Sequence, residues 1–467
     1  MHPRDLIPAF AAAVERLERD VPFASAYARR NGGTVVRVDS MSTSADPVAP
    51  NAGFTLTAWT GERFVEVSSD ELAVGAIARA ADRLAAKALA AGIHRDGLAL
   101  DPGEALERHF AQPMAIDSRA VAVPDKLALV RALRERLAAP GAQIKEAIAV
   151  VGDIHADIVY VNRARRLSQE LHRVRQIGVG VFAAGDAQVR LHGGFERIGG
   201  WEHQTVEQAY VDELRRDGPR LLGAPRIPDP GEHDCVFDGA FAGIFAHEAF
   251  GHGTEQDMFL KDRAKGAEYL GKPVASPLVT MIDDPANGWA ASFFFDDEGV
   301  LAEPTTIVDR GVLVNGINDR ASAAVLNQRG LRVAKTANGR REAYDHKPYT
   351  RMTNTFFGPG ETEVAAMIAS VAKGYYLRHP SNGMEDPKGW GIQLEGSYAE
   401  EIRDGRLTGR VFSPVVVTGS VPRLLESVSM VGREVEEASL GMCGKGYKEW
   451  VKVTDGGPHL RLRAVIA

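Results

Sequence analysis

The chain has 467 residues, of which 45% are hydrophobic and 25% charged, and its formal net charge at pH 7 is -7. This composition is typical of a soluble globular protein, and the length favours two domains over a single core. The acidic balance, without any block of Lys or Arg, argues against nucleic acid as a main partner. No run of about 18 apolar residues occurs, so the sequence predicts no membrane span.

The chain contains only two cysteines, Cys235 and Cys443, which lie far apart in sequence. Two cysteines cannot form a disulfide framework, and a reducing cytoplasm fits them best. The first residues are acidic and lack the apolar core of a signal peptide, so we expect a cytoplasmic protein. A lone cysteine is most often buried filler, which is what we expect of Cys235.

The first half of the chain alternates helical and β patterns. Apolar side chains at helical spacing predict helices at 4–20, 70–91, 125–138 and 202–216. Short β-rich runs predict strands between 23 and 67 and again between 143 and 199. We therefore expect an N-terminal α+β domain, residues 1–220, in which helices pack on one face of a mostly antiparallel sheet. Its histidines show no ligand spacing, and we expect the domain to serve dimerisation or substrate admission.

A segment rich in proline and glycine separates the two halves. Residues 217–233 hold four prolines and three glycines, which predicts neither helix nor central strand and places a linker at 221–233. Beyond it, turns containing glycine recur about every eight to twelve residues, as in antiparallel hairpins. Helical patterns occur at 238–252, 319–328 and 362–373. We expect residues 234–467 to form a β-rich domain, an antiparallel sheet or barrel, that carries the helix at 238–252.

The stretch of most chemical interest is His247-Glu248-Ala249-Phe250-Gly251-His252. Two imidazoles and a carboxylate within six residues are the composition of a catalytic zinc site, one residue longer than the HExxH pattern. Asp238 is a plausible N-cap for a helix through this stretch. The apolar stripe that begins at Phe241 would continue onto Glu248 and His252, and burying those groups unpaired costs several kcal/mol. Either they bind a metal, or they form an i, i+4 pair that satisfies itself.

The spacing of the two histidines sets a geometric condition. Positions i and i+5 lie roughly 140° apart on a regular helix, so both rings cannot face one ion there. The helix must widen towards π geometry or end, and we predict this at 250–253. Gly251 and Gly253 flank His252, where glycine makes a backbone distortion least costly.

A catalytic zinc site commonly needs a third protein ligand, and Cys443 is our candidate. It lies between glycines in Gly441-Met442-Cys443-Gly444, a low-bulk loop that lets a sulfur approach closely. Glu255 and Asp257 are weaker candidates for this third ligand position. Glu255 would alternatively contact a ligand residue without binding the metal itself. With Zn²⁺ held by His247, His252 and Cys443, Glu248 would act as general base on the zinc-bound water and pass the proton to the leaving amine. A cysteine nucleophile remains a minor alternative.

Several motifs, separated along the chain, together resemble those of one family, the TldD/PmbA zinc metallopeptidases. They are the stretch at 247–253, Pro273-Val274-Ala275-Ser276, Asp296-Asp297-Glu298-Gly299, Arg351-Met352-Thr353-Asn354-Thr355 and Cys443-Gly444-Lys445. The likeness covers most of 235–467. The resemblance implies a TldD-like, metal-carrying member, because the PmbA-like (TldE) paralogues lack these ligands, with the same three ligands and Glu248 as catalytic residue.

The resemblance also implies cleavage of short or unfolded peptides in the cytoplasm, within a homodimer or a heterodimer with the metal-free paralogue. The sequence departs from the family pattern after His252, where Gly-Thr-Glu-Gln-Asp follows, and at Tyr447-Lys448-Glu449-Trp450. Both departures flank the site, so they bear on substrate preference more than on chemistry.

The segment Arg351-Met352-Thr353-Asn354-Thr355 alternates donor-rich side chains. It would either line a groove in which an extended peptide adds as a strand, with Arg351 and Asn354 as substrate contacts, or form a plain strand.

The alternative to a zinc peptidase is a non-catalytic peptide-binding subunit whose metal is structural or absent. Glu248 argues against it, since a structural site has no need of a carboxylate beside an open position. A metal-dependent amidase for small molecules is disfavoured by the resemblance alone.

Overall fold

The computed structural model describes residues 1–141, 143–206, 208–446 and 448–467. Its α-helices are α1 Ile7–Leu17, α2 Val74–Ala91, α3 Val123–Leu137, α4 Gln208–Leu221, α5 Gly239–Ala246, α6 Gln256–Phe259, α7 Arg320–Gln328, α8 Val364–Ala369 and α9 Val421–Glu426. A π segment, His247–Gly251, and a 3-10 turn, His252–Thr254, follow α5. Among these described residues, no helix is long and apolar enough to cross a membrane.

The strands fall into a first and a second half of the chain. Those of the first half are β1 Phe23–Val38, β2 Thr43–Pro47, β3 Ala52–Trp59, β4 Phe64–Ser69, β5 Leu106–Ala111, β6 Ile144–Asn162, β7 Arg165–Ala184 and β8 Ala187–Ile198. Those of the second half are β9 Gly231–Phe237, β10 Met281–Asp283, β11 Thr305–Asp309, β12 Val312–Leu313, β13 Gly339–Arg340, β14 Tyr349–Thr350, β15 Asn354–Phe357, β16 Lys373–Asp386, β17 Gly391–Arg403, β18 Arg406–Phe412, β19 Val415–Ser420, β20 Met430–Ala438, β21 Met442–Lys445, β22 Lys448–Lys452 and β23 Thr454–Ile466.

The first half forms one eight-stranded sheet with the order β4-β3-β1-β6-β7-β5, to which β2 and β8 add by pairing with β1 and β7. Among the described strand pairs of this sheet, β5–β7 alone is parallel. Alternate residues of one strand point to opposite faces. The even-numbered apolar residues of β1 pack against α1, α2 and α3, whereas Tyr27 packs against Phe295 of the second half. The predicted arrangement, helices on one face of a mostly antiparallel sheet, is confirmed, and the opposite face meets the second half.

The segment at 217–233 corrects the sequence prediction at both ends. α4 continues through Pro219 to Leu221, and β9 begins at Gly231. A proline inside a helix costs about 3 kcal/mol. Leu214 and Leu221 are buried, and two buried leucines contribute about 3–6 kcal/mol, which outweighs that cost. The division into domains at 1–220 and 234–467 stays a prediction.

The second half contains an eleven-stranded sheet that closes on itself. Five of its eleven strands, β9, β16, β17, β19 and β23, pair in that order, and β23 pairs back with β9. The expected β-rich, barrel-like fold is therefore confirmed. Cys235, in β9, is fully buried in the core, as expected of filler. α5 packs its phenylalanines Phe241 and Phe245 into the same core, which fixes the segment that follows it.

Candidate metal centre

The helix that carries the two histidines begins normally and then widens. The Asp238 carboxylate accepts a hydrogen bond from the Phe241 N–H at 2.8 Å, so the predicted N-cap is present. At the other end the His252 N–H bonds to the His247 carbonyl, an i+5 hydrogen bond. That bond is the signature of a π-helix, which is rare and often found at functional sites. The predicted widening towards π geometry is confirmed, with the π segment at His247–Gly251 placed slightly before the predicted 250–253.

Gly251 is required for a different reason from the one predicted. Its φ of -63° and ψ of -67° are ordinary right-handed helical values, which any residue adopts. A Cβ at this position would lie 2.1 Å from Met352 Sδ. Glycine is therefore needed for close packing against Met352, and conformational freedom is not the cause.

The structure brings His247, His252 and Cys443 together. Cys443 Sγ lies 3.2 Å from His247 Nε2 and 3.4 Å from His252 Nε2. The two imidazole rings meet edge to face, with centroids 5.0 Å apart. One ligand atom from each of the three residues lies within 4.8 Å of the others. Cys443 reaches this position on the short hairpin β21–β22, where it pairs with Val451.

Each histidine has a carboxylate beside its other ring nitrogen. Asp455 Oδ1 lies 2.7 Å from His247 Nδ1, and Glu255 Oε2 lies 3.6 Å from His252 Nδ1. Carboxylate partners of this kind hold a ligating imidazole in the required tautomer and orientation. Glu255 thus takes the outer role that the sequence analysis allowed it. Asp455 was missed, because nothing in its sequence surroundings marks it.

Lys445 holds the two acids that competed for the third ligand position. Its Nζ lies 3.0 Å from Glu255 Oε2 and 2.8 Å from Asp257 Oδ1. Burial alone would raise the pKa of the Glu255 carboxyl, but Lys445 and His252 outweigh it and hold that pKa well below its usual range. Both acids are therefore engaged by a cation, which leaves Cys443 as the third candidate ligand.

The three candidate ligands form a charged group in the metal-free protein. Burial would raise the pKa of the Cys443 thiol, but His252 and His247 outweigh burial and lower it to about 4. Burial would lower the pKa of His252, but the Cys443 thiolate and Glu255 raise it to about 10. The pKa of His247 is also raised well above its usual value, since Asp455 and Cys443 outweigh burial. The three side chains are therefore a thiolate and the two imidazolium rings that flank it.

This donor set fits Zn²⁺. Usual zinc–nitrogen and zinc–sulfur distances place N and S about 3.6 Å apart in a tetrahedral site. The observed 3.2 and 3.4 Å require only small outward movements of the side chains. A thiolate with two imidazoles that are oriented by carboxylates is a donor set typical of zinc proteins.

Glu248 lies beside the donor set, on the π segment. It is 9% exposed, and its carboxylate makes no hydrogen bond with any residue that the structure describes. Its side chain packs on Gly383 of β16, where a Cβ would lie 2.5 Å from Glu248 Cγ. The carboxylate is therefore available to a ligand, as a general base must be.

A second carboxylate, Glu385, was not foreseen. It lies two residues after Gly383 on the same face of β16, and its Oε1 is 2.9 Å from where a Gly253 Cβ would be. Both of its oxygens are buried and lack a hydrogen-bond partner within the described parts of the chain. Burial, together with the Glu248 and Glu255 carboxylates, raises the pKa of Glu385 to about 9 against the opposing effect of His252.

The predicted substrate contacts Arg351 and Asn354 are corrected by the structure. Both side chains are 0% exposed. The Arg351 guanidinium donates to the Cys443 carbonyl at 2.8 Å and lies 3.5 Å from Glu255 Oε1. Asn354 donates to the Asp284 carbonyl at 2.7 Å. Arg351 therefore positions the cysteine loop and its neighbours, and neither side chain lines an open groove.

In the part of the chain that the structure describes, two further trios of His, Asp and Glu offer ligand atoms close together. They are Glu213, Asp217 and His379, and Glu342, His346 and Glu449. In the first trio, Arg378 lies 2.5 Å from Glu213, and Arg216 lies 2.9 Å from Asp217. These arginines already neutralise its acids. In the second trio, Glu342 and His346 are half-buried, Glu449 of β22 is buried, and no cysteine takes part. The centre at Cys443 is the better metal site of the three.

Comparisons with known proteins agree with this reading. The family model described as the PmbA/TldA metallopeptidase C-terminal domain matches residues 230–466. A protein of Methanothermobacter thermautotrophicus named "Metalloprotease" is 36% identical over 269 residues, which are 57% of this chain and 57% of that relative. A protein of Saccharolobus solfataricus named "Zinc metalloprotease TldD homolog" is 28% identical over 270 residues, 55% of this chain and 56% of the relative. The matches thus span little more than half the length of these curated relatives.

The fold is similar over a longer stretch. The crystal structure of TldE from Thermococcus kodakarensis covers 98% of this chain and 100% of its own, with a TM-score of 0.74 and 17% identity. At that identity the likeness concerns the fold alone. Because the family model covers half of the chain and includes all three candidate ligands, the chain belongs to the TldD/PmbA family of metallopeptidases.

Proposed function

We propose that the protein is a zinc-dependent peptidase that hydrolyses peptide bonds in short or unfolded peptides. The observation that supports this most is the pairing of a zinc-type donor set with a carboxylate, Glu248, that makes no hydrogen bond within the described residues. A structural zinc site is closed by four protein ligands, whereas a catalytic site has three and leaves one position open. Here three candidate ligands and one unengaged base are present.

His247, His252 and Cys443 would hold the ion, with Asp455 and Glu255 keeping the imidazoles oriented. When bound, zinc supplies a Lewis acid that polarises the scissile carbonyl and makes a water molecule more acidic. Glu248 accepts a proton from the attacking water at a carboxylate oxygen while the water oxygen bonds to the carbonyl carbon. Glu248 then gives that proton to the leaving nitrogen as the C–N bond breaks. One water is consumed, and no covalent bond to the protein forms.

We further propose that the working unit is a dimer, a homodimer or a heterodimer with a metal-free PmbA-like (TldE) paralogue, acting on extended peptides in the cytoplasm. The fold shared with TldE supports the assembly. Both cysteines are unbridged, which agrees with a reducing compartment. The mass of the purified protein in solution, alone and after co-expression with such a paralogue, tests the assembly; a monomer in both cases would contradict it.

The test of the chemistry separates metal binding from turnover. Metal content is measured by elemental analysis, and cleavage of an unstructured peptide is followed with and without a zinc chelator. We expect Glu248→Gln to keep its zinc and to lose about 10²- to 10⁴-fold in turnover, the usual contribution of a general base. Glu434→Gln, the same change at an exposed position, is the matched control and should leave turnover unchanged. Retained turnover in Glu248→Gln would remove the mechanism, and zinc without any peptidase activity in the unmodified protein would point to the peptide-binding subunit.

A further inference from the structure

A basic cavity lies between the first half's sheet and the second half of the chain. It has a volume of about 250 Å³. Arg29 of β1 and Arg173 and Arg175 of β7 line it from the sheet, while Arg340 and Lys452 line it from the other side. All three arginines of the sheet have odd numbers, like Tyr27 and Leu171 of the face that packs on the second half. The cavity therefore belongs to that interface.

Two of these arginines have no hydrogen-bond or ion-pair partner among the described residues. Arg173 and Arg175 are two residues apart on one strand, so their side chains lie on the same face. Neither guanidinium donates a hydrogen bond or forms an ion pair within the described ranges, and both Nε atoms are buried. Burial lowers the pKa of Arg173, with Arg29 adding to the effect and Glu196 opposing it. The two cations are thus partly removed from water, and near Arg173 the Glu196 carboxylate offsets that loss only in part.

The acids in the cavity walls are already engaged. Glu196 pairs with Lys452 Nζ at 3.2 Å. Asp297 accepts the Arg341 N–H at 2.7 Å. Asp296 accepts the N–H groups of Val300 and Gly339, and burial raises its pKa well above the usual range, which favours its neutral form. Glu342, the fourth acid of the lining, lies 3.7 Å from His346 Nδ1. None of these four acids forms an ion pair with Arg173 or Arg175 within the described ranges.

An unpaired, partly desolvated guanidinium is costly, and its planar fork of donors matches the two oxygens of a carboxylate or phosphate. Two such forks on one face of a cavity are an arrangement that an oxoanion satisfies with charge-assisted hydrogen bonds. A plain structural role would instead place a carboxylate beside them, as Glu213 lies beside Arg378 elsewhere in the fold.

The cavity adjoins the strand pair that carries the candidate ligand Cys443. Met442 and Lys452 both line it and are paired with each other, directly next to the pair Cys443 and Val451. The cavity and the candidate metal centre therefore share one wall, the β21–β22 hairpin. The anion that fits best is a carboxylate of the peptide itself.

We propose that this cavity is an oxoanion site in which Arg173 and Arg175 bind a carboxylate of the peptide, its C-terminus in the first instance. The peptide as source rests on the proposed function, whereas the anion site does not. A free phosphate-type anion offers the same chemistry and is the other source that the experiment must distinguish.

Thermal unfolding tests the site without any need for turnover. We expect inorganic phosphate, compared with NaCl at equal ionic strength, to raise the Tm of the unmodified protein, because it binds the folded state. The double variant Arg173→Met and Arg175→Met should match or exceed the unmodified Tm without anion and lose the phosphate shift. Arg173→Lys keeps the charge and should keep part of the shift. Arg190→Met, the same change at an exposed site of β8, is the matched control and should behave as the unmodified protein.

Binding of peptides identifies the source. In Glu248→Gln protein, calorimetry compares an unstructured peptide with a free C-terminus and its C-terminal amide. We expect the free acid to bind more tightly, with a loss of about tenfold for each arginine removed, the size expected of one charge-assisted hydrogen bond. A phosphate shift with equal binding of acid and amide would assign the site to a free anion and overturn the peptide carboxylate. A phosphate shift that persists in the double variant, or a lower Tm of that variant without anion, would overturn the site itself. Neither readout depends on cleavage, so a failed peptidase assay leaves them interpretable.

Discussion

The Asp455 carboxylate makes a sharp prediction about metal affinity. It accepts the Nδ1–H of His247 at 2.7 Å, from a position 208 residues further along the chain. We consider two replacements, Asp455→Asn, which keeps an oxygen acceptor of the same shape, and Asp455→Ala, which removes it.

The magnitudes follow from the type of hydrogen bond. A bond to a charged group contributes about 1.5–3 kcal/mol, and a neutral one about 0.5–1.5 kcal/mol. Asp455→Asn therefore loses about 1–1.5 kcal/mol of support for the ligating imidazole, which is about tenfold in Kd for zinc. Asp455→Ala loses the whole bond and should weaken zinc by up to about 100-fold, the upper range for outer carboxylate partners.

The assay is a competition titration of the metal-free protein against a chromophoric zinc chelator at pH 7. Asp234→Asn and Asp234→Ala are the matched controls, because Asp234 is 38% exposed and pairs with Arg461 at 3.4 Å, away from the histidines. The controls should keep the unmodified affinity. The reasoning is refuted if Asp455→Ala binds zinc within twofold of the unmodified protein, or if the Asp234 variants lose affinity equally.

Three further predictions concern protons and packing at the same centre. Zinc added to the metal-free protein at pH 7 should release about two protons per ion, because the pKa of each ligand histidine is raised and the thiol is already ionised. The affinity for zinc then weakens as pH falls. A pH indicator in weak buffer that shows the release of one proton or none would contradict this. The ultraviolet absorbance of the Cys443 thiolate in metal-free protein should persist as pH falls, down to the thiol pKa of about 4. Burial raises the pKa of Cys235, so this residue should add no thiolate absorbance near neutrality. Loss of the thiolate absorbance near pH 8 would contradict the lowered pKa of Cys443. Gly383→Ala should displace the Glu248 carboxylate and lower turnover by about 100-fold, with zinc retained. Gly391→Ala is the control and should leave turnover unchanged, because a Cβ there meets nothing within 4 Å. Equal turnover in the two variants would disprove the packing argument.

Local geometry explains what the sequence could predict. The spacing of His247 and His252 is incompatible with a regular helix, and the π segment meets that condition as expected. The strand and helix patterns of the first half likewise depend on neighbours within a few residues. The α+β class and the barrel-like second half follow from such local signals.

Long-range contacts explain what it could not. Arg351 belongs to a donor-rich strand-like segment, yet it is buried because the Cys443 carbonyl, 92 residues away, accepts its hydrogen bond. Asp455 and Glu385 reach the centre only through the pairing of β23 and β16 with the rest of the second half. Pro219 stays helical because its neighbours are buried, which composition does not reveal.

The order in which the centre's parts occur along the chain has a consequence for its synthesis. His252 precedes Cys443 by 191 residues, and Asp455 follows later still. Translation at about 5–20 residues per second takes roughly 10–40 s to cover that distance. During this interval the growing chain carries both imidazoles without the thiolate or the carboxylate that orients them. A nascent chain that stops short of Cys443 therefore lacks one of the three candidate ligands, and the centre can assemble only after most of the second half has been made.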